Sequence, residues 1–271
     1  MSKLHKLGVI GNPIEHSMSP FIHSRFGRYE NISLEYLPYK INEPDFNKFV
    51  KEFFSDKYAK GLNVTLPYKK KAAEINGDIS KEAKYINAVN TITNYKNKLS
   101  LASTDGIGFI DDINSKKFDL ENKKILIIGA GAASESVLYK VAKSKVNAIT
   151  ILNRTKEKSE MLQRKYSSIV PISIDVNSDC KFDLIINGSS AGLTGKFNSI
   201  DNLKFNSDAF FYDLNYSLTI TPFCKWAMTQ SSNVHDGMGM LVYQAAHSFK
   251  IWFGLLPDAK KVIKDIEAMR E

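Results

Sequence analysis

Cysteine is scarce. Cys180 and Cys224 are the only two in 271 residues, with no CxxC spacing and no His/Cys cluster. That argues against a disulfide framework or a structural zinc, and no metal is expected. Long apolar runs are also missing. No stretch approaches the roughly 20 residues that a helix needs to span a bilayer, so no membrane partner is expected. The chain enters a short strand pattern, Leu7–Ile10, without an apolar leader, so a cytoplasmic protein is expected. Internal repeats and low-complexity segments are absent. No motif reads DNA or RNA, although a net charge of +8 (37 basic, 29 acidic) would suit a nucleic acid. The lysines are interleaved with acids, as in Lys48-Phe49-Val50-Lys51-Glu52. This marks a solvated basic surface that mildly attracts anionic small molecules, with no nucleic-acid partner.

What is present is a globular α/β pattern long enough for two ordinary domains. Leu7–Ile10, Leu34–Pro38, Gly61–Val64, Ala88–Thr93 and Leu99–Ala102 read as strands. Pro20–Phe26, Glu43–Phe54 and Lys70–Ala73 read as helical, and Asp105-Gly106-Ile107-Gly108-Phe109 opens another helix. From Lys124 the pattern becomes βαβαβ, with later strands at Ile169–Ile174, Leu184–Asn187 and Phe210–Asp213, as a parallel sheet covered by helices requires. An apolar-faced helix spans Leu241–Trp252, and a last one runs from Pro257. The fold class predicted is two α/β domains with a cleft between them, a favoured place for a small-molecule substrate.

Lys124 to Ser134 read KILIIGAGAAS, a buried strand, a glycine turn and a helix start. Gly129 permits the tight turn, and Gly131 lets the backbone approach a pyrophosphate. The helix from Ala132 offers free N–H groups and a positive dipole end. Ser134 stands where G-x-G-x-x-G has its third glycine, so an ordinary strand–turn–helix stays open. The next strand, Ile149–Leu152, ends in Asn153-Arg154-Thr155 with Lys156 and Lys158 close by. An NAD site usually carries an acid there for the ribose 2′-hydroxyl. Arg154 suits a 2′-phosphate, because its planar fork matches the oxygens bidentately. If the turn holds a nucleotide, the expected cofactor is NADP. A solvated basic loop is the plainer alternative.

Other clusters are ambiguous singly. Ser17 and Ser19 precede Pro20: Ser19 caps a helix, or both hydroxyls hold an anionic or polyol ligand. Asn63 and Thr65 share a strand face by period two. Lys69 follows in the next turn with Lys70 and Lys71, a solvated basic face or part of a site. Asn87 to Thr91 and Ser103 to Gly106 put small polar groups at strand ends, where Asp105 can cap a helix or form a turn. Gln244 lies in the first turns of the apolar helix after the Asp236-Gly237-Met238-Gly239 loop, a surface residue or a ligand contact.

In order along the chain, GNPIEHSMSP, GLNVTLPYKK, NAVNT, STDGIGF, GAGAAS, NRT, DLNY and DGMGMLVYQAAHSF resemble the shikimate dehydrogenase family over essentially the full length. The resemblance implies an N-terminal catalytic domain, residues 1–105, completed by C-terminal helices over 240–271. It also implies a Rossmann-like NADP-binding domain over 106–239. The implied activity is NADPH-dependent reduction of 3-dehydroshikimate to shikimate, toward chorismate and the aromatic amino acids. It makes Lys69 and Asp105 the catalytic pair. Ser17 and Ser19 would hold the substrate carboxylate with Tyr216 nearby, and Thr65, Asn90, Asp105 and Gln244 the ring hydroxyls. Gly129, Ala130, Gly131, Ala132, Ala133 and Ser134 would bind pyrophosphate. Arg154, Thr155 and Lys158 would meet the adenosine 2′-phosphate, Asn153 would also line the cofactor site, and Gly237 would lie by the nicotinamide. Ser24, Lys81, Asn87, Ser103, Ala132 and Leu193 depart from the usual family residues. A quinate/shikimate paralogue using NAD or NADP, and a non-catalytic metabolite-binding regulator, remain alternatives. Monomer and homodimer both stay open.

Overall fold

The computed structural model describes residues 4–96, 98–177, 179–189, 197, 200 and 203–270. The chain divides into two compact units, residues 1–108 with 241–268 and residues 109–240 with 269–271.

The first unit is built on a mixed sheet of β1 (His5–Gly11), β2 (Leu34–Lys40), β3 (Ala59–Val64), β4 (Asp78–Ile79), β5 (Thr91–Tyr95) and β6 (Lys98–Ala102). Its order is β2-β1-β3-β5-β6-β4. β1 pairs in parallel with β2 and β3, while β5 runs antiparallel to β3 and β6. Side chains alternate between the faces. Leu7 and Val9 point to one cluster with Tyr36 and Trp252; Ile10 points to another with Phe46, Leu62, Val64 and Ile92. Helices α1 (Ser19–Tyr29), α2 (Phe46–Ser55), α3 (Lys69–Ala72) and α4 (Lys81–Ile86) connect the strands.

Helix α5 (Asp105–Ser115) leads into the second unit. There follow β7 (Lys124–Ile128), α6 (Ala132–Ala142), β8 (Ala148–Leu152), α7 (Lys156–Tyr166), β9 (Ile172–Ser173), β10 (Phe182–Asn187), β11 (Phe205–Asp213), α8 (Pro222–Ala227) and β12 (Val234–His235). All pair in parallel in the order β12-β11-β10-β7-β8-β9. Ile125–Ile127 and Leu184–Asn187 are buried without interruption, as strands covered on both faces must be. The order reverses between β7 and β10. In such sheets ligands bind beyond the carboxyl ends of the strands at that point. Helices α9 (Met238–Phe253) and α10 (Ala259–Glu267) close the chain. Among the described residues no helix is long and apolar enough to cross a membrane.

Several expectations need correction. Strand β5 begins at Thr91, not Ala88, because Asn87 ends α4 in the left-handed region (φ 50°, ψ 47°) and turns the chain. The strand expected over Ile169–Ile174 shrinks to Ile172–Ser173. Ile169 and Val170 still bond back to Tyr166, and Pro171 has no N–H to donate. Helices α4 and α8 and strands β4 and β12 add to the elements that the sequence pattern predicts. Asparagine tolerates the left-handed region, so Asn87 can stand in for a glycine there. Lys81 is exposed in the first turn of α4, and Ser24 is exposed on α1. Ser103 is buried, its hydroxyl without a hydrogen-bond partner among the described residues. Leu193 lies outside them.

One core group carries a pH consequence. His23 is fully buried and stacks on Tyr36, with ring centres 4.4 Å apart and planes 10° apart. Burial pushes its imidazole down to about 3; nearby Asn63 opposes that shift, but neither ring nitrogen meets a partner at bonding geometry among the described residues. The unfolded chain takes up this proton below a pH of about 6.5, while the folded chain does not. Stability is therefore present above that pH and is lost as pH falls toward 3, by roughly 1.4 kcal/mol per pH unit. Melting temperature is expected to drop from pH 7 to pH 5, and His23→Phe to flatten that drop. The same acid slope in wild type and variant would place the sensitivity elsewhere.

Candidate active site

The first unit gathers a buried polar cluster at the ends of β3, β5 and β6. Strand β3 ends at Val64, and the following turn delivers Lys69 to the start of α3. The Val89 N–H donates to the Lys69 carbonyl at 2.9 Å, fixing the backbone of α3 against the Asn87–Asn90 segment. Strand β6 ends at Ala102, and Asp105 begins α5. Lys69 Nζ meets Asp105 Oδ2 at 2.6 Å, with the side chains 13% and 7% exposed. Asn90 Nδ2 donates to Asp105 Oδ1 at 3.0 Å and to Gln244 Oε1 at 3.0 Å. Gln244 is buried, which removes its reading as a surface residue, and its Nε2 donates to the Leu241 carbonyl at 2.8 Å. The three consecutive lysines differ. Lys69 turns inward, Lys70 is exposed, and Lys71 reaches Glu43 at 3.6 Å. A largely shielded ammonium beside a carboxylate, among neutral amides, can deliver a proton to a bound polyol ketone.

Ser17 and Ser19 stand before and at the start of α1. The helix has Met18 as N-cap with no side-chain capping bond, so Ser19 does not cap it. The Ser17 hydroxyl accepts from the Ser19 N–H at 3.3 Å, and Ser19 is buried. Thr65 is half-buried just past β3. Tyr216 and Gly237 lie in the second unit. Tyr216 sits on the loop after β11. The Gly237 N–H holds that loop at the Asn215 carbonyl (2.9 Å), and Arg270 donates to the Ser217 carbonyl (2.5 Å).

In the second unit the glycine turn follows β7 at the switch in strand order. Gly129 has φ +105°, a conformation that side chains disfavour. Helix α6 starts after Gly131 with no side-chain cap, and its first intrahelical bond is Glu135 N–H to the Gly131 carbonyl, 2.9 Å. The N–H groups of Ala132, Ala133 and Ser134 therefore precede any helical partner. A Cβ added at Gly131 would meet none of the described residues within 4 Å. The missing third glycine is explained by its neighbour. Ser134 is buried and donates to the Gly188 carbonyl at 3.3 Å, and a Cβ on Gly188 would come within 2.2 Å of its hydroxyl. Close packing of helix on strand is thus preserved with the small residue on β10's side. Arg154, Thr155 and Lys158 are exposed after β8. Asn153 ties the two turns together, accepting from the Ala130 N–H (3.1 Å) and donating to the Thr155 carbonyl (2.9 Å).

One organiser escaped the sequence reading. Asp213 is fully buried at the end of β11. It accepts from Asn187 (2.9 Å), the Asn215 backbone (3.0 Å) and side chain (2.9 Å), and Thr221 (2.7 Å). Burial pushes its carboxyl above the usual range, against the pull of these donors. The DLNY motif carried the signal, but a lone acid after an apolar strand does not say which loops it ties. The nearby Cys224 thiol is pushed up to about 12 by burial, which keeps it inert at neutral pH.

Family models match in three segments. One described as the shikimate dehydrogenase substrate binding domain covers residues 9–92, one described as shikimate / quinate 5-dehydrogenase covers 112–192, and one described as the shikimate 5'-dehydrogenase C-terminal domain covers 237–271. A curated protein of Legionella pneumophila (strain Lens), named shikimate dehydrogenase (NADP(+)), is 37% identical over 266 residues, 98% of this chain and 99% of that protein. The crystal structure of shikimate dehydrogenase from Aquifex aeolicus matches with a TM-score of 0.87 at 30% identity, covering 98% of both chains. Shikimate 5-dehydrogenase from Thermus thermophilus, solved in complex with NADP(H) and shikimate, gives 0.86 at 26% identity, covering 98% of this chain and 99% of that one. By sequence along nearly its whole length and by the fold of both units, the chain belongs to the shikimate dehydrogenase family.

Proposed function

We propose that the protein reduces 3-dehydroshikimate to shikimate with NADPH, on the route to chorismate and the aromatic amino acids. The observation that carries the reading is the shielded Lys69–Asp105 pair joined to the Asn90 and Gln244 amides. Reducing the ketone leaves an alkoxide that needs a proton. Lys69 donates a hydrogen bond to that oxygen, stabilises its growing charge and passes the proton on. Asp105 orients the ammonium and accepts from a neighbouring ring hydroxyl. Asn90 and Gln244 suit a polyol because an amide both donates and accepts, and Thr65 adds a hydroxyl.

The second unit fits a dinucleotide. The uncapped start of α6 offers N–H groups for a pyrophosphate, and the space beside Gly131 admits it. Gly129 to Ser134 would hold that group, Arg154, Thr155 and Lys158 the 2′-phosphate, and Gly237 would lie by the nicotinamide. Asn153 and the Ala130 N–H are bonded to each other, so they shape the site. When bound, NADPH supplies the hydride. The Thermus thermophilus relative, complexed with NADP(H) and shikimate, supports the same pair of ligands here.

The test follows reduced-nicotinamide absorbance with shikimate, then quinate, using NADP and NAD in turn. Turnover of shikimate with NADP is expected. No turnover would overturn the proposal, and quinate turnover at comparable kcat/KM would move it to the quinate/shikimate alternative.

Ser17 and Ser19 are proposed for the substrate carboxylate. Ser17→Ala and Ser19→Ala should each raise KM for shikimate several-fold, about 1 kcal/mol of lost hydrogen bonding, with KM for NADP unmoved. Because Ser19 makes no cap, its variant should keep its melting temperature. A lower melting temperature with intact shikimate kinetics would return both hydroxyls to a structural role.

A further inference from the structure

Behind the Lys69–Asp105 pair lies a chain of hydrogen bonds whose direction can be worked out. Asn90 Oδ1 faces the Thr104 backbone N–H at 2.9 Å. A backbone N–H only donates, so this bond decides which end of the amide is oxygen. Nδ2 therefore donates to Asp105 Oδ1. Asn63 yields to the same logic. One end of its amide lies 3.0 Å from the Asn90 carbonyl, which only accepts, so that end is nitrogen. Its Oδ1 is left to accept from the Tyr36 hydroxyl at 2.8 Å. Asn63 Nδ2 has one proton left, shared between Ser248 Oγ at 3.0 Å and Thr91 Oγ1 at 3.2 Å, and Ser248 Oγ itself stands 2.8 Å from Thr91 Oγ1, so the bond reaches Thr91 directly or through Ser248. The Thr91 hydroxyl donates its single proton to Asn90 Oδ1 at 2.8 Å. Donation thus runs one way, from Tyr36 through Asn63, Thr91 and Asn90 to the Asp105 carboxylate. Every member is buried, where aligned hydrogen bonds polarise one another.

Thr91 is not needed to satisfy Asn90. The amide oxygen has two lone pairs and already receives the Thr104 N–H, with the Thr104 hydroxyl, itself accepting from Asn90 Nδ2 at 2.8 Å, a second donor within reach at 3.2 Å. The third donor adds constraint. With Asn90 locked and its Nδ2 on Oδ1, the Asp105 carboxylate keeps Oδ2 toward Lys69.

We propose that Thr91, backed by Asn63 and Tyr36, is a positioning residue that holds Asp105 in register with Lys69 through the Asn90 amide. This rests on the reading of Lys69 and Asp105 as the proton-handling pair.

The test uses the full chain and reads kcat for shikimate oxidation, KM for NADP and melting temperature. Thr91→Val should lower kcat roughly 3- to 10-fold, as loss of one neutral hydrogen bond implies, with KM for NADP unmoved. Thr91→Ser, which keeps the hydroxyl, should recover most of that loss. Tyr36→Phe, at the far end, should cost less than Thr91→Val. The double variant Thr91→Val/Tyr36→Phe should be no slower than Thr91→Val alone, because the link between them is already cut. Wild-type kcat in Thr91→Val, or losses that multiply in the double variant, would overturn the relay while leaving the proposed function standing. A wild-type protein inert toward shikimate would overturn both. If Thr91→Val does not fold, Tyr36→Phe decides alone: a lowered kcat at wild-type melting temperature supports the relay, and an unchanged kcat overturns it.

Discussion

Lys69→Ala is expected to lower turnover by ~10²- to 10⁴-fold, the usual contribution of one positioned proton donor, while NADP affinity stays nearly unchanged. The ammonium sits 2.6 Å from Asp105 Oδ2 with only 13% of its side chain exposed. In the proposed reaction it is the group that meets the forming alkoxide. Its place depends on local backbone, through α3 and the Val89 bond, and on Asp105, which Asn90 holds independently. Removing the ammonium leaves a buried carboxylate uncompensated, which destabilises a fold as well as a reaction. Lys69→Met keeps the apolar stem and separates the two effects. Both variants should be slow, and melting temperature shows how much of the alanine effect is structural. NADPH binding, followed by reduced-nicotinamide fluorescence, should match wild type in both. A variant within a factor of a few of wild-type kcat would take Lys69 out of the mechanism.

The reach of the sequence follows from the physics of each element. The second unit is readable because strands covered on both faces need unbroken apolar runs, as in Ile125–Ile128 and Leu184–Ile186. The two-residue strands β4, β9 and β12 are shorter than any period a pattern can show. Single residues were harder. Lys69, Lys70 and Lys71 are equivalent in a string; packing alone turns one toward Asp105. Asn90 and Gln244 are 154 residues apart and bond directly. Ser248 was visible in principle, four residues after Gln244 and so on the same face of α9, but inside an apolar helix it reads as filler. Ser134 looks like a flaw in the glycine pattern until Gly188, just past β10, supplies the missing space. What escaped is partnership between segments far apart in the chain, which no local signal encodes.

Arg154→Ala is expected to weaken NADP at least tenfold while changing NAD little. The effect follows from where the residue is held. Strand β8 lies next to β7 in parallel register, so its carboxyl end opens beside the glycine turn. Asn153 then locks the turn that carries Arg154, bonded at one end to the Ala130 N–H and at the other to the Thr155 carbonyl. Arg154 is thereby exposed one residue from the glycine turn's own partner, at the position where an NAD site carries an acid. A guanidinium there can meet a 2′-phosphate bidentately, and each charge-assisted hydrogen bond contributes roughly 1.5–3 kcal/mol. NAD lacks that phosphate and has nothing to lose. Lys158, exposed in the first turn of α7, adds charge without a fork, so Lys158→Ala should cost NADP less than Arg154→Ala does. The measurement is kcat/KM for NADP and for NAD in wild type and both variants at fixed ionic strength, since salt screens exposed charges. Equal losses with the two cofactors would show that Arg154 supports the turn and does not read the phosphate.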